Sequence, residues 1–126
     1  MIKRSIIFFT LILSVTLHSQ EAIQQWVYNT LERAQLNVDK GNLEAAEKIY
    51  YDYATSTYSS KSYDHFVILR TYGYFLLQQD RNEEALKYLK LADQKRKMTP
   101  MDVFNLKFIL GQIYYVEGQK EEAKKS

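Results

Sequence analysis

Three segments of this 126-residue chain align on one another without a gap: GNLEAAEKIY from Gly41, DRNEEALKYL from Asp80 and GQKEEAKKS from Gly118. Each carries Glu three residues on (Glu44, Glu83, Glu121) and Ala five residues on (Ala46, Ala85, Ala123). Seven residues upstream of each stands a small residue: Ala34, Gly73 and Gly111. The step from Ala34 to Gly73 is 39 residues and from Gly73 to Gly111 is 38. A chain that repeats at this period builds one supersecondary unit several times, and units too small to bury their own apolar faces must stack on one another.

The unit is helical. Ile23, Trp26, Val27, Thr30, Leu31 and Ala34 recur three and four apart, as do Phe66, Leu69, Tyr72, Phe75 and Leu76, and each set forms one stripe along a helix. Gly41 can end a helix in a left-handed conformation, and Asn42 just after it suits the next N-terminus. Asp80 with Glu83 has the spacing of a capping box, and Thr99, Pro100 and Asp102 suit another helix start. These signals predict helices at about 22–39, 43–58, 63–79, 82–97 and 100–117, with a short one from Lys120. The segment from Thr55 to Ser62, rich in Ser, Thr and Tyr, reads as a helix end plus loop.

Small residues on paired helices let two backbones approach closely, as stacked antiparallel hairpins require. The pattern resembles the tetratricopeptide repeat family, whose units are helix-turn-helix pairs of about 34 residues. In the second unit Leu69, Tyr72, Gly73, Leu76, Ala85, Leu89 and Ala92 stand at framework places, with Pro100 a few residues late. Leu110, Gly111, Tyr114 and Ala123 match in the third, and Ala34, Gly41, Ala46 and Tyr50 in the first. The period exceeds the family's by about four or five residues, assigned to longer loops around 59–62 and 97–99. The expected fold is all-α: antiparallel helix-hairpin repeats in a solenoid, with units at about 27–60, 66–99 and 104–126, the last incomplete. An uncapped last unit implies either further chain, or a partner or a second copy of the chain over its apolar face.

The N-terminus differs in kind. Lys3 and Arg4 precede an apolar and small-residue run from Ser5 to Leu17 that ends in His18, Ser19 and Gln20, the pattern of a secretory signal. The expected division is a signal over 1–19, cut after Ser19, and a repeat domain over 20–126, secreted or periplasmic. The alternative is an uncleaved anchor, which alone would bring a membrane contact. Without Lys3 and Arg4 the 17 basic residues fall to 15, equal to the 15 acidic ones, so the repeat domain is neutral. Neutrality with interleaved Lys and Glu disfavours nucleic acid as a partner. The chain has no cysteine, which removes disulfides, thiolate metal sites and a cysteine nucleophile.

Little else suggests chemistry. His65, the one histidine of the repeat domain, suits a helix-start or surface role, and Glu83–Glu84 and Glu121–Glu122 repeat with the unit as solvated faces. No phosphate loop, nucleophile elbow or zinc helix motif is present. The chain is therefore expected to be no enzyme and to hold no cofactor or metal. Tyrosine is abundant at 11 residues, of which Tyr50, Tyr72, Tyr88 and Tyr114 occupy framework places. The resemblance further implies that the first helix of each pair lines a concave groove showing Tyr28 and Gln35, then Arg70 and Tyr74, then Asn105, Gln112 and Tyr115. Tyr and Arg commonly anchor protein interfaces. The implied function is a scaffold holding a protein or peptide, with Arg70 and Tyr74 dispensable for folding. Leu31 and Gln35 stand where some relatives carry a carboxylate-clamping Lys and Asn, which disfavours a chaperone-tail adaptor. An extracytoplasmic sensor or anchor portion of a larger regulator and a glycan-binding module are the alternatives.

Overall fold

The computed structural model describes residues 23–96 and 98–125; the expected signal segment lies outside them. Among the described residues the fold is all-helical, with α1 Gln25–Asp39, α2 Leu43–Ala54, α3 Tyr63–Gln78, α4 Asn82–Asp93 and α5 Pro100–Lys125. Each helix packs on the next in chain order, most extensively α3 on α4.

The first two tight turns share one physical device. At Gly41 the Asn42 amide donates to the Asn37 carbonyl and the Gly41 amide to the Val38 carbonyl, with Gly41 at φ 82°. At Asp80 the Arg81 amide donates to Leu76 and the Asp80 amide to Leu77, with Asp80 at φ 61°. Both are Schellman stops that satisfy the last carbonyls of a helix through one left-handed residue. The capping box expected of Asp80 and Glu83 does not form: Asp80 ends α3, the next helix starts from Arg81, and Arg81 rather than Asp80 engages a carboxylate, that of Glu84. An aspartate tolerates the left-handed conformation better than most residues, which is why it can stand where the first repeat has glycine.

The corresponding turn at Gly118 does not form either. The helix expected to stop at Glu117 and restart at Lys120 runs on as one α5 through Lys125. Glycine permits a left-handed stop without imposing one, and Glu121–Lys124 and Glu122–Lys125 pairs three residues apart favour continuation, as do lysines in the last turn. The other differences are shorter ends: α2 stops at Ala54 rather than 58 and α4 at Asp93 rather than 97. The two inter-repeat loops bond to each other, Arg96 N to Ser60 O and Lys95 Nζ to Ser59 O, giving their backbone groups partners outside the helices.

The core centres on α3. Every residue from Phe66 to Leu76 is buried, so this helix has neighbours around its whole circumference. Tyr50, Tyr72, Phe75 and Tyr88 join rings across α2, α3 and α4, with Tyr72 to Tyr88 centroids 4.6 Å apart. Gly73 sets the α3–α4 approach: a Cβ added there would lie 2.5 Å from Leu89 Cδ2 and 2.6 Å from its Cγ. Gly111, at the equivalent place on α5, meets nothing within 4 Å. Tyr114, assigned to structure by its framework place, is half exposed with the Lys90 ammonium over its ring, and among the described residues no later helix covers it.

These two glycines separate in a simple test. Gly73→Ala overpacks against Leu89 and should lower stability by about 1–3 kcal/mol, whereas Gly111→Ala relieves an exposed helix glycine and should raise it by about 0.5–1 kcal/mol. Denaturant unfolding of the two variants measures both; equal effects would show that α3 and α4 do not approach as described.

Candidate functional site

The residues expected to line a groove divide into three groups. On α1, Tyr28 is 47% exposed and Gln35 is half-buried, its Nε2 donating to Asp39 Oδ1 at 2.9 Å. On α5, Gln112 and Tyr115 are exposed, Tyr115 at 69%, while Asn105 is half-buried. On α3, Arg70 and Tyr74 are buried, Arg70 to 1% exposure, and belong to the core rather than to an open surface.

A buried guanidinium needs a counter-charge, and Asp102 supplies it. Arg70 Nη1 donates to Asp102 Oδ1 at 3.0 Å, with both side chains almost wholly out of solvent. The Phe66 ring lies 5.0 Å from the guanidinium carbon and accepts its face. Asp102 is held in turn by the start of α5: the Thr99 amide donates to its Oδ2 at 3.1 Å and its own amide donates to Thr99 Oγ1 at 3.1 Å. This is the helix start expected from Thr99 and Asp102, closed as a capping box. Asp102 thus does two things, fixing the first turn of a helix and neutralising Arg70. The Tyr74 hydroxyl belongs to the same locus. Burial pushes its pKa up to about 12, with Arg70 drawing it down and Asp102 pushing it up. Arg70 Nη2 and Asn105 Nδ2 are buried donors without a hydrogen-bond acceptor among the described residues.

The structure therefore brings Arg70 and Tyr74 together beside Asp102, while Asn105 stands one turn further along α5. It leaves Tyr28 and Gln35 on the first helix and Gln112 and Tyr115 further along the last. The expectation that Arg70→Ala spares folding is corrected, since removing the guanidinium strands the Asp102 carboxylate in the interior.

A second polar seam joins α2, α3 and α4. Arg81 grips Glu47 with both terminal nitrogens at 2.7 Å, Tyr72 donates its hydroxyl to Glu47 at 2.9 Å, and Arg81 Nε donates to Glu84 at 2.8 Å. The Arg81 hydrogen bonds hold the Glu47 carboxyl below the usual carboxylate range against its partial burial. Beside this seam an open cleft of about 310 Å³ is lined by Asp80, Arg81, Asn82, Glu83, Glu84, Glu117 and Lys120. Its side chains are largely paired with one another, Asn82 with Glu117 and Arg81 with Glu84.

His65 is structural in its contacts. Its backbone amide donates to the Ser62 cap, its ring stacks on Tyr58 at 4.4 Å, and Nε2 donates to the Ala54 carbonyl at 2.8 Å. Burial pulls its pKa below the ordinary 6.5, opposed by the Ala54 bond and assisted by Lys95. Among the described residues no group of three or more His, Asp or Glu side chains could hold a metal ion, and no helix is long and apolar enough to cross a membrane.

The groove expectation includes Tyr115 but misses the apolar stripe to which it belongs. Met101, Phe104, Phe108 and Tyr115 are all large and exposed on α5, Phe104 at 65%, and Phe104 and Phe108 stack at 6.4 Å. Their spacing is the signal that could have found them, a second stripe on the side of α5 opposite Leu106, Ile109, Leu110 and Ile113. In comparisons with family models, curated proteins and solved structures, the chain matches none.

Two measurements follow from these contacts. Arg70→Ala should cost about 3–5 kcal/mol, because a lone buried charge remains; chemical denaturation reads it, and a loss under about 1 kcal/mol would place the pair in solvent. Burial favours neutral His65 in the fold, so its contribution is complete above its ordinary 6.5 and is lost as pH falls from there through the lower folded value. The melting temperature of His65→Gln should accordingly fall less than that of the parent between about pH 7 and pH 5.

Proposed function

We propose that this chain is an exported helical-repeat scaffold of the tetratricopeptide type that binds a protein or peptide and performs no chemistry of its own. The observation that carries this reading is the set of aromatic side chains left in water, all but Tyr51 of α2 on α1 and α5, while α3 buries its rings. Tyr28 on α1 and Phe104, Phe108 and Tyr115 on α5 are exposed, although Tyr50, Tyr63, Tyr72, Tyr74 and Tyr88 are buried. Exposed aromatics concentrated on particular helices mark interaction surface, because they bring large contact area at a small cost in side-chain freedom.

The repeat reading draws support from three features. The helices pack in chain order, two tight turns use the same left-handed stop at Gly41 and Asp80, and the small residue at Gly73 meets Leu89 of the neighbouring helix. With Arg70 and Tyr74 in the core, the binding surface reduces to Tyr28 and Gln35 at one side and Gln112 and Tyr115 at the other. Arg70 and Asp102 then serve the site by fixing the angle at which α5 is presented. Export rests on the basic, apolar, polar order of residues 3–20.

A photo-crosslinking residue placed at Tyr28 or at Gln112 in the exporting cell, with Glu44 on α2 as control, tests the surface. Discrete adducts from the first two positions and none from Glu44 support the scaffold; equal labelling from all three, or none, would remove it. The intact mass of the exported chain should lack residues 1–19, and a native chain that keeps them would contradict export by cleavage.

A further inference from the structure

Helix α5 carries two apolar faces. Leu106, Ile109, Leu110 and Ile113 are buried against the neighbouring helices. On the opposite side Met101, Phe104, Phe108, Gly111, Tyr115 and Gly118 follow one another at intervals of three and four residues, the spacing of a helix-pairing seam. Among these, Met101 is 42%, Phe104 65%, Phe108 44% and Tyr115 69% exposed, and a Cβ at Gly111 or Gly118 would meet nothing within 4 Å. The seam is a row of large side chains with two notches in it.

We infer that this seam pairs with the same seam of a second copy of the chain, the two α5 helices running antiparallel. In one register, with the two-fold axis between Ile109 and Leu110, every layer is filled. Phe108 lies over Gly111 of the second copy, Phe104 against its Tyr115, and Met101 over its Gly118, with the same three layers repeated by symmetry. Each large side chain meets either a notch or one ring, and the two glycines let the backbones close to a distance that six large layers would prevent. The flanks are compatible: Lys107 stands across from Tyr114 and Asn105 from Gln112, so no like charges face each other there. A two-fold contact of this kind is self-complementary by construction.

The area fits a reversible dimer. Taking aromatic and similar side chains at roughly 200 Å² each, the exposed parts of the four large residues amount to roughly 400 Å² per copy. With flanking side chains the total over two copies reaches about 1,000 Å², the lower bound for a specific interface. The pairing rests on reading α5 as an interaction helix, and it leaves Tyr28 and Gln35 on α1 open to a different partner.

Sedimentation equilibrium of the full 126-residue chain should show the measured mass doubling between about 1 and 100 μM, the range expected for an interface of this size. Phe104→Glu should hold the mass at one chain throughout, while Leu36→Glu, on exposed α1 surface, should leave the doubling intact. Because the chain has no cysteine, Phe104→Cys and Tyr115→Cys variants can be mixed and oxidised. The register predicts that the thiol introduced at position 104 of one copy links to the thiol introduced at position 115 of the other, in excess over links between two copies of the Phe104→Cys variant. A single-chain mass at all concentrations, a dimer unaffected by Phe104→Glu, or predominant linkage of Phe104→Cys to itself would each overturn the pairing. Circular dichroism of Phe104→Glu checks that the fold persists, and adducts at Tyr28 would survive failure of the dimer, so the two readings fail separately.

Discussion

Arg70 carries a full charge at a place water does not reach, and such a charge is tolerated only where a counter-ion and hydrogen bonds replace hydration. Asp102 meets that need from another helix, 32 residues away in the chain. The pair constrains more than its own neighbourhood. Asp102 is fixed by the Thr99 capping box, so the position of the carboxylate dictates where α5 begins and in which direction it leaves. The α3 and α5 backbones are not principal neighbours, as the larger contacts run between consecutive helices. The ion pair supplies a specific link between them, and Leu106, Ile109 and Leu110 of the same helix are buried in the core.

Around α3 the other helices arrange by a different rule. Gly73 allows α4 to approach until Leu89 fills the space a side chain would have taken, and aromatic rings from α2, α3 and α4 close the layer. The left-handed stops at Gly41 and Asp80 reverse the chain within three residues, which makes α1 with α2 and α3 with α4 into close antiparallel pairs. Helix α5 has no such return among the described residues. Its outward seam remains in water, and the same 3.6-residue geometry that buries Ile109 sends Phe104 and Tyr115 to the opposite side.

Most of the helical plan was legible in the sequence because it depends on local rules. Gly41 announces a left-handed stop, Thr99 and Asp102 announce a helix start, and the three-four recurrence from Phe66 to Leu76 announces a buried helix. The stop at Asp80 is ambiguous because an Asp three residues before a Glu also satisfies the capping-box pattern, and only the neighbouring backbone bonds decide between them. Gly118 misleads for the opposite reason: its segment matches the other two, yet a turn forms only where a following helix gains enough packing to offset the lost helical bonds. The site was less legible. Whether Arg70 faces solvent or the interior depends on Asp102, a long-range partner that no spacing within the repeat signals. Phe104 and Phe108 are visible as residues, but the framework places of the tetratricopeptide pattern do not contain the seam they form.

The Arg70–Asp102 pair sets the placement of α5 and hence of the surfaces on it. A double-mutant cycle with Arg70→Met and Asp102→Asn measures this most directly, since asparagine can still accept the Thr99 amide while the charge is removed. The expected coupling energy is about 2–3 kcal/mol, with the double variant losing less stability than the two single variants together. A coupling below about 0.5 kcal/mol, the level of independent sites, would contradict it.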